Sequence, residues 1–115
     1  MHSVTSNAVF NNFLTKHKMA KTIRNDIDAI LTLSEGFYCC YLITLSRDKL
    51  DQSGIGILTW DYNDSIKTTW LKSVTFYTVT LTKISTLQSR LEISNTDNVI
   101  LSLIDLNGRG RLTLS

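Results

Sequence analysis

From Phe37 onward the side chains alternate in character at every second residue, and no other feature narrows the possible folds as far. The alternation is clearest from Val74 to Ile84. Thr75, Tyr77, Val79, Leu81 and Lys83 fall on one side there, and Val74, Phe76, Thr78, Thr80, Thr82 and Ile84 on the other. A period of two belongs to strands, because successive side chains of an extended backbone point to opposite faces of a sheet. Thr and Ser supply 27 of the 115 residues, most of them beside apolar neighbours, as in an antiparallel sheet wet on one side. The chain has no proline, so its turns must come from Gly, Asn, Asp and Ser. At this length one domain with one modest core is expected.

Six or more strands are expected, among them Phe37–Leu45, Ile55–Trp60, Val74–Ile84, Arg90–Ser94, Val99–Leu106 and Arg109–Leu114. A polar loop, Arg47–Gly54, and the turns Asp61–Asp64 and Asn95–Asn98 separate them. Asn107-Gly108 is a strong two-residue hairpin signal. Short strands with polar turns predict a mainly β fold, an antiparallel β-sandwich or jelly-roll-like knob.

The first twenty residues differ. Thr5 or Ser6 can cap a helix through its hydroxyl, and Val9/Phe13 and Phe10/Leu14 follow as two i,i+4 apolar pairs. A helix of about 13 residues, roughly 20 Å long, is marginal alone in water. It must pack, either back on its own domain or as a stalk against copies of itself. The domain reading is therefore a short N-terminal helical stalk over 1–20 and a β-rich knob over 21–115. Residues 21–34 carry two patterns. Ile23, Ile27 and Ile30 keep helical spacing, while Ile30-Leu31-Thr32-Leu33 reads as a short strand. A helical turn followed by an irregular entry into the sheet is expected.

Several function classes are excluded by what is missing. A net charge of +2 is too small for the footprint of phosphate-backbone binding, so no nucleic acid is expected. The longest apolar run, Phe37 to Ile43, is too short for a membrane-spanning helix, and no secretory segment follows Met1. Cys39 and Cys40 are adjacent and point to opposite faces, which makes them free thiols suited to a reducing cytoplasm. His2 and His17 have no ligand partners at metal spacing. Gly54-Ile55-Gly56 opens a strand rather than following one, as structural glycines do and a nucleotide loop does not. Asp26/Asp28 and Asp61/Asp64 sit in turn-like sequence, where capping explains them, and Asp61–Ser65 lacks the Gly and Glu of a calcium loop. No catalytic residues, metal or cofactor are expected.

The aromatic residues offer one recognition feature. Trp60 and Tyr62 share a face of one strand end beside Asp61, Asn63 and Asp64, an aromatic platform next to acids and amides that suits a sugar ring. The competing reading has Trp60 in the core with Tyr62 over its rim. Trp70 equally reads as core, and Arg109 and Arg111 as a solvated edge or an anion contact.

Val4-Thr5-Ser6-Asn7-Ala8-Val9-Phe10 resembles the V-T-S-N-A-V-Y segment common in tail-fibre and tail-tip proteins of bacteriophages and prophages. Asp26-Ile27-Asp28-Ala29-Ile30 with Ser34-Glu35-Gly36-Phe37-Tyr38 is similar to the D-L-N…G-x-Y entry of phage and pyocin knob domains, with Glu35 where those usually carry proline. The resemblance implies a helical stalk leading into a terminal knob, usually in a homotrimer, with Val9, Phe10, Phe13 and Leu14 as the trimerisation residues. It implies a receptor-binding protein at the virion tail tip, assembled in the bacterial host cytoplasm, with the rest of the fibre preceding residue 1. The expected partner is a host cell-surface glycan or another receptor. No receptor contact carries over by motif, so Trp60, Asp61, Tyr62 and Asn63 rest on the aromatic platform alone. A structural tail or baseplate trimerisation module and a monomeric carbohydrate-binding module are the alternatives.

Overall fold

The computed structural model describes residues 18–34, 38–61, 63–107 and 111–115. The expected stalk residues Val9, Phe10, Phe13 and Leu14 lie outside them, as does Tyr62. Among the described residues nine strands are present: β1 (Lys18–Ile23), β2 (Ala29–Leu33), β3 (Tyr38–Ser46), β4 (Gly54–Asp61), β5 (Lys67–Lys72), β6 (Thr78–Ser85), β7 (Gln88–Ser94), β8 (Val99–Asp105) and β9 (Leu112–Leu114). They form a five-stranded sheet, β1-β8-β3-β4-β5, and a four-stranded sheet, β6-β7-β2-β9, with every pairing antiparallel. The fold is the expected antiparallel sandwich. Because β1 pairs with β8 while β2 pairs with β7, the β1–β2 strip lies along the β7–β8 strip as both cross between sheets. The nesting stops at these two pairs, since β3, β4 and β5 follow one another as neighbours in one sheet and β6 lies in the other.

Alternation decides what each strand buries. Ala29, Leu31 and Leu33 of β2 point inward, as do Tyr41, Ile43 and Leu45 of β3, Leu91 and Ile93 of β7, and Leu101 and Leu103 of β8. Side chains of both sheets thus meet in one core. At one side of the core Tyr41 reaches across the sandwich, and its hydroxyl accepts a hydrogen bond from the Leu112 N–H at 3.2 Å. This bond ties β9 to the opposite sheet. Cys39 is buried, Cys40 half-buried on the other face, and both thiols are free.

Four expectations are corrected. The helical spacing of Ile23, Ile27 and Ile30 does not make a helical turn. Lys18–Ile23 is a strand that extends β8, Ile27 is 37% exposed, and Ala29–Leu33 alternates as a strand. Lys18, Met19 and Ala20 therefore belong to the sheet rather than to a stalk ending at residue 20. The strand expected from Val74 starts only at Thr78. Before it, the Thr75 N–H and hydroxyl donate to the Asp51 carbonyl at 3.2 and 3.1 Å, and the Tyr77 hydroxyl donates to Gln52 at 2.9 Å. That segment is held by a 3₁₀ turn, Leu50–Gln52, instead of by a strand. Lys67–Lys72 was not expected as a strand and forms the sheet edge β5. Finally, β8 and β9 lie in different sheets, so Asn107 opens a crossing between sheets and not a hairpin. The Asn107 N–H donates to Asp105 Oδ1 at 3.1 Å, and this acceptor supports the bend.

The glycines of Gly54-Ile55-Gly56 have a structural use. Their inward faces lie under the indole of Trp70 from β5, and a Cβ on Gly56 would sit 3.0 Å from Trp70 Cε3. The β4–β5 register shifts between Ile55 and Gly56, a bulge that brings the two backbones close.

Candidate functional site

The β4–β5 loop sits at one end of the five-stranded sheet, beside the first residues of β3. Register sets Tyr38 opposite Asp61, Cys39 opposite Trp60, Cys40 opposite Thr59, and Thr59 opposite Lys67. Alternation sends Tyr38, Cys40, Thr59, Asp61 and Lys67 to the outer face and Cys39 and Trp60 to the core. The outward group, with Asp64 and Ser65, lines a depression of about 240 Å³ that Cys39 and Trp60 also border, although at 1% and 3% exposed these two present almost no surface to it. Tyr38 is 58% exposed and is its aromatic wall.

Local hydrogen bonds hold the loop. The Asn63 N–H donates to Asp61 Oδ1 at 3.0 Å, the Asp64 N–H to the Asp61 carbonyl at 2.8 Å, and the Ser65 N–H to Asp64 Oδ1 at 2.8 Å. These are the turns that short acidic side chains make with the backbone just ahead of them. Lys67 Nζ stands 3.5 Å from Asp64 Oδ2. The Ser65 N–H, and after it the Lys67 ammonium, hold the Asp64 carboxyl below the usual carboxylate range, so it is ionised at neutral pH. An exposed phenol ring beside carboxylates, an ammonium and hydroxyls can stack on the apolar face of a sugar and hydrogen-bond its hydroxyl groups.

On the other side of the loop a depression of about 170 Å³ is bounded by Trp60, Asp64, Ser65, Leu81, Lys83 and Ser89, among others. The Ser89 hydroxyl, on a residue 1% exposed, has no hydrogen-bond partner in the protein. A broader hollow of about 450 Å³ lies between Ser46–Asp48 and Asp97–Asn98. Its size does not make it the better candidate. It has no aromatic wall, and the Arg47 guanidinium already donates to the Thr96 hydroxyl and to the Asp97 carbonyl.

The structure splits the expected site. Trp60 is 3% exposed and belongs to the core, so its ring is not a surface platform. The parity that buries Gly54, Gly56 and Leu58 buries Trp60 too. Asp61 lines the depression and Asn63 is exposed in its loop. Asp64, which the sequence places beside the platform, lines the depression as well; sequence reasoning missed Tyr38 and Lys67. Tyr38 was hidden in the apolar run Phe37–Ile43, and only the strand register brings it beside Asp61.

Burial, reinforced by the neighbouring Cys40 and Asp105, pushes the Cys39 thiol up to about 12, so at neutral pH it is no nucleophile. Among these residues no three His, Cys, Asp or Glu side chains converge as metal ligands would, and no helix is long and apolar enough to cross a membrane. No family model, curated protein or solved structure matches the chain.

Proposed function

We propose that this chain is the tip domain of a bacteriophage tail fibre or receptor-binding protein, a homotrimer at the virion tail tip. On this reading it is assembled in the bacterial host cytoplasm and binds a host cell-surface glycan without catalysis. The observation that carries the glycan reading is the depression at the β4–β5 loop, where Tyr38, 58% exposed, stands beside Asp61, Asp64 and Lys67. The phage assignment is supported by the Val4–Phe10 and Asp26–Tyr38 segments. The antiparallel sandwich is compatible with it, although a fold alone does not specify a function. One such depression is small and open, so a single copy would bind weakly. Three copies on a trimer would raise apparent affinity by roughly 10²–10⁴ when all engage at once.

A glycan array probed with the full chain tests this. Tyr38→Ala should abolish the signal while leaving cooperative unfolding unchanged, because the side chain is outside the core. Retained binding by Tyr38→Ala would remove the site, and an array with no bound glycan would leave the structural tail module in its place. Trp60→Ala is the wrong probe, since truncating a buried Trp costs about 3–5 kcal/mol of stability whatever the ligand.

A further inference from the structure

The second depression beside the β4–β5 loop is built differently from the first. Its lining comes from both sheets as well as from the loop, so it lies at the mouth of the sandwich. Parity along β7 puts Ser89 on the core-facing side with Leu91 and Ile93. Register sets Leu81 opposite Leu91 and Lys83 opposite Ser89, so Leu81 and Lys83 share that side. Trp60 comes from the other sheet, and Asp64 and Ile66 from the loop. Ile66 and Leu81, half-buried against the core, form the apolar wall. Ser89 is 1% exposed, and its hydroxyl has no hydrogen-bond partner in the protein. Among the described residues Lys83 has no ion-pair partner either. An unpaired buried hydroxyl costs stability, and Ser89→Ala would remove that cost. A serine held there without a partner calls for a polar group that arrives from outside the fold.

We infer that this mouth is a subsite for an acetamido group, the N-acetyl substituent of an amino sugar. The inference deepens the glycan reading and rests on it. An acetamido group has three parts, and the mouth has a counterpart for each. Its methyl packs against Ile66 and Leu81, its carbonyl oxygen accepts from the Ser89 hydroxyl or the Lys83 ammonium, and its N–H donates to the Asp64 carboxylate. Other groups match less of the lining. A carboxylate or phosphate would meet Lys83 but also the ionised Asp64. A bare hydroxyl would leave the apolar wall uncovered, and an alkyl chain would leave Ser89 unpaired. The volume of about 170 Å³ is roughly ten times what one water needs, so a substituent of this size is admitted. The two depressions share Asp64 and Ser65. A glycan crossing that ridge places one sugar ring on Tyr38 and the acetamido group in the mouth.

Matched sugars, titrated into the full ¹⁵N-labelled chain and read by NMR, test it. The probes are the methyl glycosides of N-acetylglucosamine, N-acetylgalactosamine and N-acetylmannosamine. Each is paired with the glucose, galactose or mannose glycoside, which carries a hydroxyl in place of the acetamido group. At least one N-acetylated probe should bind about tenfold or more tightly than its hydroxyl counterpart, from one added hydrogen bond and a covered methyl. Its amide shifts should run from Ser65 and Ile66 to Lys83 and Ser89. Ser89→Ala should lower that affinity roughly three- to tenfold while the urea midpoint stays level or rises, because an unpaired hydroxyl leaves the core. A merely structural serine would not separate those two readouts. N-acetylated probes that bind no better than their counterparts overturn the inference, and so does Ser89→Ala at parental affinity. Shifts confined to the Tyr38 depression overturn it too, and leave the glycan reading standing. If none of the six probes shifts an amide of the mouth, the inference falls, and the array decides separately whether the glycan reading falls with it.

Discussion

Gly56 lies where β4 and β5 come closest, and replacing it with alanine sets two effects of known size against each other. A Cβ there would stand 2.8 Å from the Thr69 carbonyl oxygen, 3.0 Å from Trp70 Cε3 and 3.1 Å from Thr68 Cγ2. The carbonyl is backbone of the paired strand, where Ile57 faces Thr69, so it cannot swing aside as a flexible side chain would. In an uncrowded strand the same substitution stabilises by roughly 0.5–1 kcal/mol, because glycine loses more freedom on folding than alanine. Overpacking costs about 1–3 kcal/mol. The clash wins, and the net loss should be about 1–2 kcal/mol, or roughly 3–10 °C in Tm for a chain of this size. Gly54→Ala should cost less, since its closest contacts, the Val74 Cγ1 methyl at 3.1 Å and the Lys72 carbonyl oxygen at 3.2 Å, are each looser than the 2.8 Å approach at Gly56. Urea unfolding followed by Trp60 and Trp70 fluorescence reads both. A Gly56→Ala protein with a urea midpoint equal to or above the parent would refute the claim that close approach of the backbones requires this glycine.

Tyr41→Phe should destabilise by about 1–3 kcal/mol, because the Leu112 N–H loses its acceptor inside the sandwich; an unchanged urea midpoint would show that another group replaces the hydroxyl. Stability should fall as pH rises above 9. The Cys39 thiol ionises near 9.0 when unfolded and only near 12 when folded, so its contribution is intact below 9 and declines by about 1.4 kcal/mol per pH unit across that window. Tyr77, raised from 10.0 to about 12 by burial, adds to the same decline. Cys39→Ala should flatten the curve measured by urea titration, and an unaltered slope would contradict the assignment. In the native protein a maleimide should label one thiol per chain quickly, that of half-buried Cys40, and reach Cys39 only on unfolding. Rapid labelling of both would mean that the core opens there.

The strand content of this fold was legible because its physics is local. Tyr41, Ile43 and Leu45 alternate with Leu42 and Thr44 whether or not the partner strands are known. What was not legible depends on pairing. Ile23, Ile27 and Ile30 satisfied a helical spacing, yet β1 and β2 are strands because β8 and β7 supply partners from the far end of the sequence. Asn107-Gly108 has the composition of a hairpin, but β9 pairs with β2 in one sheet while β8 pairs with β1 and β3 in the other. The candidate site fails to appear in the sequence for the same reason. Trp60 and Asp61 are neighbours in the chain, and parity sends them to opposite faces. Tyr38 and Asp61 are far apart in sequence, and register makes them neighbours.

The most direct test of the account is an NMR titration of the full ¹⁵N-labelled chain with the strongest glycan ligand from the array. The account predicts that the amide shifts concentrate on Tyr38, Thr59, Asp61 and Asn63–Lys67, with the threonine face of β6 unmoved. Shifts centred on any other surface, or none at ligand saturation, would contradict it.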